Sequence, residues 1–368
     1  MNIIAGSVKL FNMTDEEYFG KGLPGYISNS RMGLINPAQG GSVERYLNGF
    51  DQKTDSLQLG SAVHQLILEP ELYELASVTA PSDSIRKIAV LAHKLTTRED
   101  NPLSFDDAIE LGITTYNYYK GNCAYGSKRY EGLIEKVKPF YDYLCGSNSE
   151  NVIVLTEDLR EKCINALAAI KENPKFEELL KPSGGVEYYN EHVMTCDIKY
   201  DGEIYHLKLK IDNFTVDHVA KHVVLNDLKT TSFKLGNFMG VEALAMINGS
   251  ANGFSLEPVK LHGSFQKYCY YRQMYMYGAI LQEYIRQEFG EGYTFEANML
   301  VVETVGYKPK AEVFNVSDYW LEQGRIEFDY LLDLISKVVT GEKASDLDLL
   351  DDEDYGATLE DNELVDLD

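Results

Sequence analysis

Val223 to Ser232 reads VVLNDLKTTS, a run of β-branched and apolar residues ending in Asp227-Leu228-Lys229 and three hydroxyl residues. Side chains alternate along a strand, so Asp227 and Lys229 point one way and Leu228 turns to the core. The preceding stretch, EIYHLKLKIDNF, alternates strictly. Tyr205, Leu207, Leu209 and Ile211 take one face, and His206, Lys208, Lys210 and Asp212 take the other. The connection VDHVAKH is short enough for a hairpin or tight β-loop, so pairing the strands brings Asp212 beside Asp227. Two carboxylates at one point repel unless a cation lies between them. Mg²⁺ suits such a place, because it takes a few carboxylate oxygens and keeps waters for chemistry. Lys229 then holds the attacking water or the phosphate. The plain alternative is a same-face ion pair with no chemistry.

Asp212, fourteen intervening residues and Asp227-Leu228-Lys229 resemble the signature of the PD-(D/E)XK nuclease superfamily, with Ile211 where the proline of the name would stand. Leu59-Gly60-Ser61-Ala62-Val63-His64 resembles the N-terminal Gly-x-x-x-His element of its RecB-like branch, and Gln273 with Tyr277 resembles that branch's Gln-x-x-x-Tyr helix. The order Val301-Val302-Glu303-Thr304, late strand and closing helix is similar to viral and prophage recombination exonucleases of the exodeoxyribonuclease VIII and lambda types. The similarity runs from about Ser28 to Val339.

This resemblance implies a restriction-endonuclease-like core and a metal held by His64, Asp212, Asp227 and the Leu228 carbonyl. Glu191 is implied as an extra carboxylate for metal or water, with Glu187 as its competitor. Lys229 is implied to orient or deprotonate water, and Gln273 and Tyr277 to serve the same site. The cofactor is Mg²⁺, with Mn²⁺ able to substitute. The implied activity is 5′→3′ digestion of double-stranded DNA from its ends, in phage or prophage recombination. A single-strand annealing protein and further copies of the chain, as a ring around DNA, are the implied partners. A structure-selective endonuclease with the same site, and a non-catalytic relative that binds DNA ends or protein, remain as alternatives.

The elements that must position these residues are legible in outline. The spacing of Leu59, Val63, Leu66 and Ile67 predicts a helix over Leu59–Leu68, stopped by Pro70. Its His64 lies near the apolar stripe, so outside the family frame it reads as a histidine at the edge of the core. Ser28 or Ser30 is placed to cap a helix before RMGLI. Residues 83–148 read as helical, with Arg86, Lys87, Lys94, Arg98, Lys120, Lys128, Arg129, Lys136 and Lys138 interleaved with Tyr116, Tyr118, Tyr119, Tyr125 and Tyr130. That is a candidate nucleic-acid face, or a solvated helical face over aromatic core residues. Thr156 caps a second helical stretch, broken at Pro174. Two strands then join at Asp201-Gly202, a hairpin signal. Residues 233–263 read as an irregular loop. Phe265–Phe289 reads as one long helix capped by Ser264, with Gln273 and Tyr277 on one face. Strands follow at Ala297–Val302 and Ala311–Val316, and a closing helix at Asp318–Val339.

The expected fold is α/β: a mixed central β-sheet flanked by helices. A helical N-terminal region (1–180) brings the His motif to a nuclease core (181–343), both in one compact domain, followed by a disordered acidic tail (344–368). At 368 residues and 44% hydrophobic, with 26 Tyr and 15 Phe, the chain can bury a full core. Its five cysteines are scattered with no Cys-x-x-Cys, which argues against a zinc module and against the iron–sulfur cluster of some relatives. With no signal peptide and no long apolar run, the expectation is a protein of the bacterial host cytoplasm, neither secreted nor membrane-bound. The net charge of −24 runs against DNA binding. Eleven acids lie in residues 345–368, and without them the balance is still −13. DNA therefore has to be held by a local patch and by metal.

Overall fold

The computed structural model describes residues 1–19, 22–49, 54–118, 127–146, 151–182, 184–249, 253–261 and 263–340; the side chains of 15–16, 241–249 and 253–261 are outside the description. The acidic tail and Tyr119, Lys120 and Tyr125 lie outside the described residues.

The fold is α/β, with a mixed six-stranded sheet between helices. In chain order the strands are β1 (Lys9–Phe11), β2 (Glu74–Leu75), β3 (Val152–Ile153), β4 (Glu187–Tyr200), β5 (Glu203–Asp217), β6 (His222–Thr231), β7 (Val241–Gly249), β8 (Gly253–Leu261), β9 (Thr294–Glu303) and β10 (Ala311–Asn315). The central sheet runs β1-β4-β5-β6-β9-β10. Within this sheet, among the described residues, only the β6–β9 pair is parallel; β2 and β3 pair parallel in a small sheet of their own. The β4–β5 hairpin turns at Asp201 (φ 48°) and Gly202 (φ 85°), the left-handed pair that a two-residue turn of this kind needs.

The helices are α1 (Asp15–Phe19), α2 (Asn29–Gly33), α3 (Val43–Asn48), α4 (Asp55–Leu68), α5 (Asp83–Thr96), α6 (Phe105–Thr115), α7 (Lys128–Gly146), α8 (Glu157–Glu172), α9 (Pro174–Leu180), α10 (Ser264–Lys267), α11 (Tyr270–Phe289) and α12 (Asp318–Thr340). Ser28 caps α2, its hydroxyl accepting from the Arg31 N–H. Thr156 stands at the head of α8 but makes no side-chain cap bond. None of the described helices is long and apolar enough to cross a membrane.

One core cluster joins α2, α11 and α12 to the sheet through Leu207, Leu209, Ile211, Leu225, Met299 and Val301. A second joins α4, α8 and α9 to the other face through Leu228, Leu300 and Val302. A third ties α5, α6 and α7 to one another. That third cluster buries Tyr130, so this tyrosine belongs to the core and not to a nucleic-acid face. Arg86 and Lys87 pair with Asp83, and Lys138 with Asp142, so part of the basic row on these helices is locally neutralised.

Two expectations need correction. Residues 233–263 are not all loop, because β7 and β8 pair antiparallel from Val241↔Leu261 to Gly249↔Gly253. The turn-forming Gly, Asn and Ser near the hairpin's tip hid the strands. The long helix is broken after Lys267. Cys269 adopts φ 52°, a left-handed conformation that a continuous helix cannot contain, and α11 restarts at Tyr270.

Arg272, on α11, is 1% exposed. Its guanidinium donates to Asn29 Oδ1 (2.8 Å) and Glu327 Oε1 (2.9 Å), binding α2 and α12 to α11. Breaking a buried pair of this kind costs about 3–5 kcal/mol, because the remaining charge loses its partner. Arg272→Leu should therefore lower the melting temperature by roughly 10 °C. A drop within about 2 °C in a thermal melt would show that the network adds little.

Candidate active site

The β5–β6 pairing stops at Asn213↔Asn226, although both strands continue. From there β5 stays with β4 and β6 stays with β9. Asp212 and Asp227 are the first residues past the last pair, one on each prong of a fork. Across β4, Asn190 pairs with Asn213 and His192 with Ile211, which sets Glu191 opposite Asp212. Glu191 has φ 55°. A left-handed glutamate inside a strand costs of order 1–3 kcal/mol and survives only where its surroundings over-determine it.

The alternation of faces slips by one residue at this point. Leu209 and Ile211 lie in the first core cluster, and so do Phe214 and Val216. Met194 and Cys196 of β4 belong to the same cluster, with Tyr189 packed against it. Both strands thus change phase where the carboxylates stand.

A ladder of asparagines underlies the fork. Asn315 donates to Asn298 (3.3 Å), Asn298 to Asn226 (3.4 Å), Asn226 to Asn213 (2.8 Å), Asn213 to Asn190 (2.7 Å), and Asn190 to the Leu68 carbonyl at the end of α4 (2.8 Å). Asn213, Asn226 and Asn298 are almost fully buried, and each amide finds a partner in the next strand. The ladder binds five strands and α4 directly below the site.

Helix α4 delivers His64. It lies close on β6: a Cβ at Gly60 would come within 3.3 Å of Thr230 Oγ1. His64 Nδ1 stands 3.7 Å from Asp212 Oδ2 and 3.9 Å from Glu191 Oε1. One donor atom from each of His64, Glu191 and Asp212 lies within 4.8 Å of the others. Burial alone would lower the pKa of His64, but the Asp212 and Glu191 carboxylates outweigh it and raise the value. Burial pushes Glu191 up, but His64 and Lys210 reverse this and lower it. Lys210 Nζ pairs with Glu191 Oε2. Glu191 Oε1 is buried and accepts no hydrogen bond.

Asp227 sits beside this trio. It is 1% exposed, with Oδ1 accepting from Gln273 Nε2 of α11 (2.7 Å) and Oδ2 paired with Lys229 Nζ (2.6 Å). Burial raises its pKa to about 6, against the pull of Lys229. Burial works to discharge Lys229, yet Asp227 and Asp212 win and its pKa is raised, so it stands as an ammonium. Asp212 Oδ2 accepts from the Leu228 N–H (2.7 Å) and lies 3.8 Å from Lys229 Nζ. The Leu228 carbonyl accepts from Lys229 Nζ (3.3 Å).

Of the residues singled out in the sequence, His64, Glu191, Asp212, Asp227, Leu228, Lys229 and Gln273 meet in the fork. Tyr277, one turn on from Gln273, lies beneath the fork, close enough to Asp227 and Asp212 to feel their charge. It is buried in the first core cluster, and burial holds its phenol well above the ordinary value, with Gln273 pulling the other way. Glu187 is elsewhere, exposed and paired with His218 Nε2 (3.3 Å). The asparagine ladder and Lys210 were not foreseen. Isolated asparagines carry no periodic signal, and Lys210 read only as one of an alternating row.

The donor set fits a divalent cation. It is two carboxylates and an imidazole within reach of one point, with one buried carboxylate oxygen left unpaired. Oxygen donors suit Mg²⁺ and Mn²⁺, and the imidazole favours the latter.

No family model matches the chain. No curated protein matches it either. Among solved structures, the crystal structure of a "Putative exonuclease" from Eubacterium rectale is similar, with a TM-score of 0.47 and 14% sequence identity over 90% of this chain and 88% of that chain.

Proposed function

We propose that the protein is a metal-dependent deoxyribonuclease of the PD-(D/E)XK type, RecB-like branch, acting as a 5′→3′ exonuclease on duplex ends in phage or prophage recombination. The convergence of His64, Glu191, Asp212, Asp227 and Lys229 at the β5–β6 fork carries this reading. A structural ion pair needs neither the imidazole nor a second and third carboxylate. His64, Glu191 and Asp212 would hold the cation, with Asp227 next to them. Bound there, Mg²⁺ or Mn²⁺ supplies a Lewis acid for the phosphodiester and lowers the pKa of water. Asp212 is oriented by the Leu228 N–H, and Asp227 by Gln273. Lys229 keeps its proton, so it donates to a phosphate oxygen or positions the water. Lys210 fixes the second oxygen of Glu191.

The protein should release nucleotides from linear duplex DNA in Mn²⁺, with no release in EDTA. A covalently closed circle should stay intact, because an exonuclease needs an end. Nicking or linearisation of the circle would instead mark an endonuclease with the same site. No metal-dependent cleavage of either substrate would refute the enzyme reading and leave a binding module.

A further inference from the structure

The chain carries 58 acids, yet 228–241, 261–282 and 304–311 contain none. These three segments meet where β6 leaves the fork. Thr304 N–H donates to the Thr231 carbonyl (2.8 Å), so the β9–β10 loop starts beside the end of β6, about 13 Å along the strand from Asp227. A Cβ on Gly263 would lie 2.2 Å from the Phe238 carbonyl oxygen, so α10 begins in backbone contact with the segment after β6. Buried Glu303 ties the loops together. Its Oε1 accepts from the Leu235 N–H (3.0 Å) and its Oε2 from the Lys310 N–H (3.2 Å).

A row of cations and rings lies along this edge, half-buried at Tyr270 and Phe233 and exposed at Lys267, Tyr268 and Lys234. Lys229 Nζ lies 5.6 Å from the Tyr270 ring centre, and Tyr270 packs on Tyr268 at 5.7 Å. Lys267 Nζ stands over both Tyr268 (5.8 Å) and Phe233 (5.7 Å). Lys234 follows, 64% exposed in its side chain; its ammonium lies 3.9 Å from Glu303 Oε2 and beside Gly306, where a Cβ would come within 3.0 Å. The next residue, Tyr307, stands fully in solvent. Lys308 beside it is exposed and reaches Glu172 at 3.5 Å.

We infer that this row is a track for a single strand of DNA, leading from the catalytic Lys229 outward to Tyr307. It rests on the nuclease reading, and it deepens that reading by naming the form of DNA that lies outside the fork. Exposed ring faces beside ammonium groups bind unpaired bases by stacking and the backbone by charge. A closed duplex keeps its base faces stacked inside and offers these rings nothing.

The test is fluorescence anisotropy of a labelled twelve-nucleotide single strand in EDTA, with a blunt twelve-base-pair duplex beside it. The wild type should bind the single strand more tightly than the duplex. Lys234→Glu with Lys267→Glu should weaken single-strand binding at least tenfold and flatten the salt dependence by roughly 1.4 log units per decade, two phosphate contacts' worth. Tyr268→Ala and Tyr307→Ala should each weaken it about fivefold to a hundredfold, the loss of one stacked base. Lys199→Glu, at the far end of the β4–β5 hairpin, controls for the change in net charge that one such replacement makes, against which Lys234→Glu and Lys267→Glu are also read singly. The four track positions are on the surface, so unchanged melting curves should accompany the losses. Track variants that bind like the Lys199→Glu control, or a wild type that prefers the duplex, would overturn the track. Binding that depends on the track in a protein that cleaves nothing would leave the track standing and remove only the nuclease reading.

Discussion

Asp212→Asn should abolish metal-dependent release of nucleotides, by at least about 10²–10³-fold, while leaving the fold as stable as before or more so when metal is withheld. The side chain does two things that asparagine separates. Its oxygen accepts from the Leu228 N–H, and an amide oxygen can do the same. Its charge stands opposite Glu191 and near Asp227, and only that charge serves a cation. Without a cation the three carboxylates repel, offset in part by Lys229, Lys210 and His64. Removing one charge relieves this. Calorimetry should show Mn²⁺ binding lost in Asp212→Asn. The wild type should gain about 2.7 kcal/mol at a hundred times its Kd, seen as a rise of several degrees in melting temperature, and the variant should gain nothing. His64→Ala and Glu191→Gln should share this loss in kind. Equal Mn²⁺-induced stabilisation of wild type and Asp212→Asn would show that the trio is not the cation site.

The sequence made both prongs of this fork plain, but Glu191 and His64 beside them only by analogy. Asp212, Asp227 and Lys229 follow from period-two alternation and one short connection, because a strand leaves its side chains no choice of face. Glu191 does not follow. It lies in β4, opposite Asp212, only because the hairpin turns at Asp201-Gly202, and its left-handed backbone breaks the alternation that a pattern reader relies on. His64 was ambiguous for a physical reason: a histidine beside an apolar stripe packs as well as it ligates. Helix α4, docked close at Gly60, settles where it points. The surface along which DNA is proposed to lie was invisible, since its lysines come from segments far apart in the chain. Net charge spoke against any such surface. The acids are clustered, so that stretches such as 18–43 and 261–282 hold none even though the total charge is −24.

The Asp227–Lys229 pair does not behave as a cleft-surface pair. A surface position would make both alanine variants nearly neutral in stability, but Asp227 is 1% exposed. Lys229→Ala therefore leaves a buried carboxylate with Gln273 as its remaining partner, at a cost of about 3–5 kcal/mol. It should lower the melting temperature clearly, abolish nucleotide release, and keep most of the Mn²⁺ affinity, because the trio is untouched. Asp227→Asn isolates the other half. Burial raises the pKa of Asp227 to about 6 in the folded protein, against its ordinary 3.8, so between these values the folded state holds a proton that the unfolded state has released. The stability linked to that proton is fully present below pH 3.8 and is lost as pH rises through 6. In EDTA, the melting temperature of Asp227→Asn minus that of wild type should grow between pH 4 and pH 6 and level off above. The neutral amide has no proton to lose, so the difference isolates this one group from the many other carboxylates. A difference that is flat across that window would mean that Lys229 fully compensates Asp227. In that case the pair is an ordinary salt bridge, and Lys229→Ala should lose stability without losing any activity that Mn²⁺ supports.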